Sequence, residues 1–217
     1  MNIAEISQKR YSTKAFDPDR KIADDLIAQL KTLLQNSPSS VNSQPWHYVI
    51  ASTAAGKDRF RKATQDGFAF NDAKVANASH VVAFCAKTSI DDAYIERLMA
   101  QEKADGRFAT DEAEQMVRNG REYFINLHRH DLADAPEWMK NQVYLSIGTL
   151  LLGAATLGID AVPIEGFDVA AFDAEFDLAA KGLTSVTLVA LGYRASDDFN
   201  ATLPKSRLPL SEIITEV

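Results

Sequence analysis

The chain has 217 residues, with 23 Lys and Arg against 30 Asp and Glu and a formal net charge of −7. That acidic balance disfavours nucleic acid and membrane surfaces as partners, and the length suits one domain over residues 1–217 with a sizeable core. The single cysteine, Cys85, excludes an intrachain disulfide and a cysteine-type zinc site.

The opening segment, MNIAEISQKRYSTKAF, has no apolar run of signal-peptide length, so a cytoplasmic protein is expected. Over 22–35 the apolar residues Leu26, Ile27, Leu30, Leu33 and Leu34 recur at helical spacing. The stretch SPSSVNSQPWHYVI, residues 37–50, follows. Pro38 and Pro45 forbid a helix there, while Ser37, Ser39, Ser40, Asn42 and Ser43 offer hydroxyls and amides. It reads either as a polar turn or as a rigid rim that grips a flat polar ligand. A strand is expected from Trp46, then a helix capped by Thr53, then a buried strand over HVVAFCAK, residues 80–87. Ser89 with Asp91 and Asp92 suits a helix start, and Thr110 with Asp111 and Glu112 suits another, whose helix carries Tyr123, Phe124 and Leu127.

Pro136 opens a long helix that becomes uncharged over residues 143–159 and closes at Gly158. This stretch is too short to span a bilayer and too apolar for a free surface, which makes it the expected centre of a subunit interface. Gly148 and Gly153 within it are expected to permit close packing. Strands are expected at 160–166 and 184–192, with a helix at 168–178 between them whose carboxylates form a solvated face. Residues 193–217 have no home in a compact monomer and are expected to wrap a partner. Many helices and about four strands without strict alternation predict an α+β fold.

The chain lacks the glycine patterns of a Rossmann turn, a P-loop and a nucleophile elbow. In HRHD, residues 128–131, His128 and His130 would point to different faces of a helix, so no metal is expected. Three segments instead set cations beside small polar groups: Arg10, Ser12 and Lys14; Asn71 and Lys74; Lys205 and Arg207. Each alone reads as solvent-exposed charge. Together with the serine-rich rim they suit an anionic, planar cofactor, with Arg and Lys on a phosphate and Gly166 letting a backbone amide approach.

Four ordered motifs, RYSTKAFD, SPSSVNSQPWHYV, PIEGFD and FNATLPKSRLP, make the chain resemble the FMN-dependent, oxygen-insensitive NAD(P)H nitroreductases of bacteria. The small enteric type, also called dihydropteridine reductase, is the nearest match, with the flavin reductases of luminous bacteria close by. The resemblance covers essentially the whole chain. It implies an intertwined homodimer of the nitroreductase-like fold, with a mainly antiparallel sheet, helices around it and FMN at the subunit interface. By the same resemblance Arg10, Ser12, Lys205 and Arg207 hold the phosphate end, and Tyr11 and Pro163 also bind the cofactor. Lys14, Asn71 and Lys74 belong to the pyrimidine edge of the ring, and the backbone at Glu165 and Gly166 addresses its N5. Pro38, Ser39, Ser40, Asn42 and Gln142 would arrive from the second subunit. Lys14, Val41, Phe68, Phe70, Asn71, Arg107 and Phe124 are implied on the face where NADH or NADPH and a small aromatic oxidant take turns. No side-chain catalytic residue is required, because the flavin carries the chemistry. Val41, Phe68 and Tyr11 depart from the hydroxyl, tyrosine and histidine frequent in relatives, which bears on substrate range. Two further readings are an NAD(P)H:FMN reductase supplying free reduced flavin and a non-catalytic flavin-binding dimer.

Overall fold

In the computed structural model, which describes residues 2–217, four strands form one antiparallel sheet. These are β1 (Trp46–Ala51), β2 (His80–Lys87), β3 (Asp160–Ile164) and β4 (Leu183–Gly192), in the order β1-β2-β4-β3. The central strands bury both faces, so β2 reads as a continuous apolar run. Its side chains still alternate. Val81, Ala83 and Cys85 pack on one side with Phe60, Phe167 and Phe172, and Val82, Phe84 and Ala86 pack on the other with Leu30, Val143 and Leu150. Cys85 is thus a core residue, and burial first pushes its thiol up to about 12.

The helices follow the capping chemistry with instructive exceptions. α1 (Ile3–Lys9) was not expected; the Asn2 side chain accepts from the Ala4 and Glu5 amides and starts it. α2 (Asp24–Gln35) buries Ile27, Leu30 and Leu34. Thr53 caps α3 (Ala54–Arg61) by accepting from the Gly56 amide at 3.0 Å. α4 (Asp72–Asn77) is a further short helix that the pattern did not disclose. Asp91 rather than Ser89 caps α5 (Asp92–Ala104), through the Tyr94 amide at 2.8 Å. Thr110 caps α6 (Asp111–Asn126) as expected. A π-helical turn, Leu127–Asp131, replaces the α-helical HRHD segment. There His128 lies 2.6 Å from Asp134 and stacks on Trp138. The helix at 168–178 is shorter, α8 (Val169–Glu175), and its carboxylates are engaged rather than merely solvated. Asp173 accepts from Thr184 and the Ser185 amide, and Glu175 pairs with Arg59 and Lys62.

The long helix is α7 (Ala135–Thr156), with Pro136 in its first turn and Gly158 just past its end at φ +73°. Val143, Ile147, Leu150 and Ala154 pack on the sheet and on α2. Tyr144 and Leu145, on the other face, stay 44% and 50% exposed, so one protomer covers only part of this uncharged helix. At Gly153 a Cβ would lie 2.2 Å from Leu33 Cδ1, so a larger residue there would force Leu33 of α2 to move; a Cβ on Gly148 would meet open space within the protomer. Residues 201–217, including α9 (Leu210–Ile213), are exposed along their whole length. Among the described residues no helix is long and apolar enough to cross a membrane.

Candidate active site

The residues singled out from the sequence fall into three groups. The first lies between the end of α1 and the tail, where Arg10, Tyr11, Ser12, Lys205 and Arg207 line a cavity of about 320 Å³. Lys205 donates to the Ser7 carbonyl at 2.6 Å and to the Arg10 carbonyl. Burial, then Arg10, then Arg207 hold its ammonium below the ordinary lysine range. Among the described residues, Arg10, Lys205 and Arg207 form no ion pair with any carboxylate. Converging cations without a counter-charge are the donor set an anion needs.

The second group gathers where the chain leaves β3, an edge strand on which Pro163 leaves no sheet hydrogen bond wanting. The Asn71 amide donates to the Gly166 carbonyl at 2.8 Å, and Lys74 donates to Asn71 Oδ1 at 2.8 Å and to the Phe70 carbonyl at 2.7 Å. A Cβ on Gly166 would lie 2.8 Å from Asn71 Nδ2 and 3.2 Å from Phe70 Cζ, so a larger residue there would displace the Asn71 amide from its bond to the Gly166 carbonyl. Phe68 stands at the same point, 3.6 Å from that position. Glu165 accepts from the Tyr144 hydroxyl at 2.6 Å. Among the described residues the Glu165 and Gly166 amides donate to no protein acceptor. Burial first, and Lys14 second, hold Lys74 below the ordinary lysine range, so the two lysines feel each other.

Asp198, which no sequence motif marks, links these two groups. It is 3% exposed, accepts from the Tyr11 hydroxyl at 2.9 Å and from the Lys14 amide at 3.3 Å, and caps the turn Phe199–Thr202. Burial, then the Asp198 hydrogen bond, push the Tyr11 phenol up to about 12. Asn200 adds a bond from its amide to the Ser12 carbonyl at 2.8 Å.

The third group is the polar loop. Val41, Asn42 and Gln44 take positive φ of 46°, 52° and 43°, a conformation that costs a β-branched residue most. Polar contacts on every side hold it. Ser40 donates its amide to Gln142 at 2.8 Å, and the Gln44 amide donates to Ser39 Oγ at 3.0 Å. Arg121 Nε donates to the Val41 carbonyl at 3.0 Å. Arg121 and Glu102, 2% and 5% exposed, pair at 2.7 Å, and Glu102 also accepts from Asn42. Pro38 enters this loop. Arg107 and Phe124 share a cavity of about 250 Å³ with Val41 and Asn42. Within one protomer Phe124 therefore stands with this loop rather than with Phe68 and Phe70. Among the described residues no hydrogen bond or ion pair joins the third group to the first two.

A model of the Nitroreductase family matches residues 8–193. The chain is 55% identical over the full length of both chains to an oxygen-insensitive NAD(P)H nitroreductase of Enterobacter cloacae. It is 31% identical to the major NAD(P)H-flavin oxidoreductase of Aliivibrio fischeri, covering 96% of this chain and 95% of that one. A solved FMN complex from Exiguobacterium sibiricum, described as a candidate nitroreductase, shares the fold with a TM-score of 0.82 at 21% identity, covering 100% of this chain and 98% of that one.

Proposed function

The chain belongs to the nitroreductase family, and on that premise we propose that it is an FMN-dependent oxidoreductase. It takes electrons from NADH or NADPH and reduces nitroaromatics, quinones, pteridines or flavins, two electrons at a time. The observation that carries this reading is the run of cations without carboxylate partners from Arg10, Lys205 and Arg207 to Lys14 and Lys74.

The donor set fits FMN, a flat ring bearing a phosphate. Arg10, Ser12, Lys205 and Arg207 suit the phosphate, with Tyr11 held behind them by Asp198. Lys14 and Lys74 bring fixed positive charge to a ring edge, where it favours the reduced, negatively charged form. The unpartnered Glu165 and Gly166 amides, at a glycine whose Cβ position is crowded by Asn71 and Phe70, suit close approach of a planar molecule. When bound, FMN supplies the two-electron chemistry. The protein's part is to hold the ring, tune its charge and keep water from one face. Phe68 and Phe70 stand beside Gly166 and would flank that face, with protons supplied by solvent.

The loop group would complete the site from a second copy. Its separation from the cradle within one protomer, the exposed face of α7 at Tyr144 and Leu145, and the exposed tail over residues 201–217 support a homodimer in which that tail wraps its neighbour around one continuous domain. Reducing dinucleotides are intracellular, which puts the proposed enzyme in the cytoplasm. The test is direct. The purified protein should be yellow, with stoichiometric FMN. Initial-rate plots at several levels of a nitroaromatic should be parallel, as two substrates using one pocket in turn require. A colourless protein that takes up no FMN overturns the reading.

A further inference from the structure

A second convergence of cations lies away from the proposed cofactor cradle. At one end of the sheet, Lys87 closes β2, Lys181 precedes β4, and Arg97 reaches across from α5. With His47, Trp46 and Tyr94 they line a cavity of about 410 Å³, and no Asp or Glu contributes to its wall. Among the described residues these three cations make no ion pair. Lys181 donates to the Phe176 carbonyl at 2.7 Å and Lys87 lies over the Tyr94 ring, so neither meets a negative charge, and the Arg97 side chain makes no hydrogen bond among the described residues. Like charges gathered in one concavity repel, and the arrangement is favourable overall when an anion fills it.

The walls narrow the class of anion. The Lys87 ammonium sits 4.2 Å from the centre of the Tyr94 ring, and Trp46 stands beside the same cavity, so charge and aromatic surface are adjacent. Burial first, and Lys181 second, hold the His47 imidazole below its ordinary range, so at neutral pH it offers a neutral ring with one donor and one acceptor. We propose that this cavity binds the phosphate group of a nucleotide, with Lys87, Arg97 and Lys181 on the phosphate and the Trp46–Tyr94 wall against the base. The Tyr94 hydroxyl donates to the Gln44 carbonyl at 2.7 Å, so the occupied wall is tied directly to the loop that carries Ser39, Ser40 and Asn42. The phosphate could belong to the adenylate half of the dinucleotide cosubstrate or to a free nucleotide. Both present the same chemistry.

The proposal does not rest on the flavoenzyme reading, because binding is measured without turnover. ADP and, separately, inorganic phosphate are titrated by calorimetry into the protein as purified. The comparison is with Lys87→Gln/Lys181→Gln, which leaves Arg10, Lys205 and Arg207 untouched; Arg97→Gln alone is the second variant should the first fold poorly. Wild type should bind ADP more tightly than phosphate, and affinity should fall by about tenfold or more in the variants, the effect of losing a charged hydrogen bond. If the adenylate half of the cosubstrate is the ligand, ADP competes with NADPH, and the KM for NADPH rises in the variants while kcat holds. If a free nucleotide is the ligand, ADP binds and the KM for NADPH does not move. Failure of wild type to bind ADP at millimolar concentration, or equal affinity in wild type and variants, overturns the proposal.

Discussion

The Tyr11 hydroxyl donates to Asp198 at 2.9 Å across 187 positions of sequence, and the same carboxylate receives the Lys14 amide. One buried acid thus clasps the two chain segments that carry Arg10, Ser12 and Lys14 on one side and Lys205 and Arg207 on the other. Asp198→Ala leaves the phenol and the amide without an acceptor and should cost about 1–3 kcal/mol of stability. Asp198→Asn keeps an acceptor and should cost less. Urea unfolding of both variants checks the order; equal losses would mean that the clasp depends on charge rather than on hydrogen bonding.

The clasp also predicts a pH response. The Tyr11 phenol is raised from 10 to about 12 in the folded state, by burial and by Asp198. A raised pKa means that the protonated form stabilises the fold. Its contribution is complete below the unfolded value and is lost as pH climbs through the folded one. Tyr11→Phe should therefore be destabilising at pH 8 and progressively less so, relative to wild type, between pH 10 and 12. Thermal melts across that range measure it.

Arg121 and Glu102 make the buried pair that holds Val41 and Asn42 in their left-handed conformations. Removing one partner strands the other's charge in the core. Glu102→Ala should cost about 3–5 kcal/mol, well above the effect of breaking an exposed pair such as Lys140 with Glu137. Denaturant unfolding of the two single variants gives the comparison.

Arg207→Ala should weaken FMN binding by about 1.5–3 kcal/mol, the loss of one charged hydrogen bond. Fluorescence titration of apoprotein reads this, and an unchanged dissociation constant would remove Arg207 from the phosphate.

Lys14→Ala should lower the two-electron midpoint potential of bound FMN. About 1.4 kcal/mol of lost charge stabilisation corresponds to roughly 30 mV, so a fall of some tens of millivolts is expected in a reductive titration. Lys74 should respond as well, because Lys14 is the second cause holding its ammonium down. Equal potentials in the two proteins would place both lysines outside the ring's field.

The strands and the cation groups were legible because their signals are local. β2 is a run of apolar, β-prone residues, and Thr53 and Thr110 each sit immediately before the helix they cap. What stayed hidden depends on long-range contact. Asp198 lies in a polar tail, and nothing near it in sequence announces Tyr11. Glu102 left a fainter trace: it follows Ile95, Leu98 and Met99 on the buried stripe of α5, where a charge demands a partner. Its partner, Arg121, shares the buried side of α6 with Ile125, so two charges on two apolar stripes were the available clue. The helices α1 and α4 are too short for periodicity to separate from loop, and the π-helical turn at Leu127–Asp131 has no sequence period to read.

The split between the loop group at Ser40 and Gln142 and the cradle at Arg10 and Arg207 has a genetic consequence. If each copy lends its loop to the other, a mixed dimer of one Arg207→Ala chain and one Gln142→Ala chain gathers both lesions in one site and leaves the other intact. Two alleles that are each inactive alone would then complement when expressed together. Two alleles within the cradle, such as Arg207→Ala with Arg10→Ala, would not, since every mixed dimer would carry a damaged cradle in each site. Sorting inactive alleles by which pairs restore growth on a nitroaromatic-sensitive background would map the boundary between lender and borrower residue by residue, without a structure of the dimer.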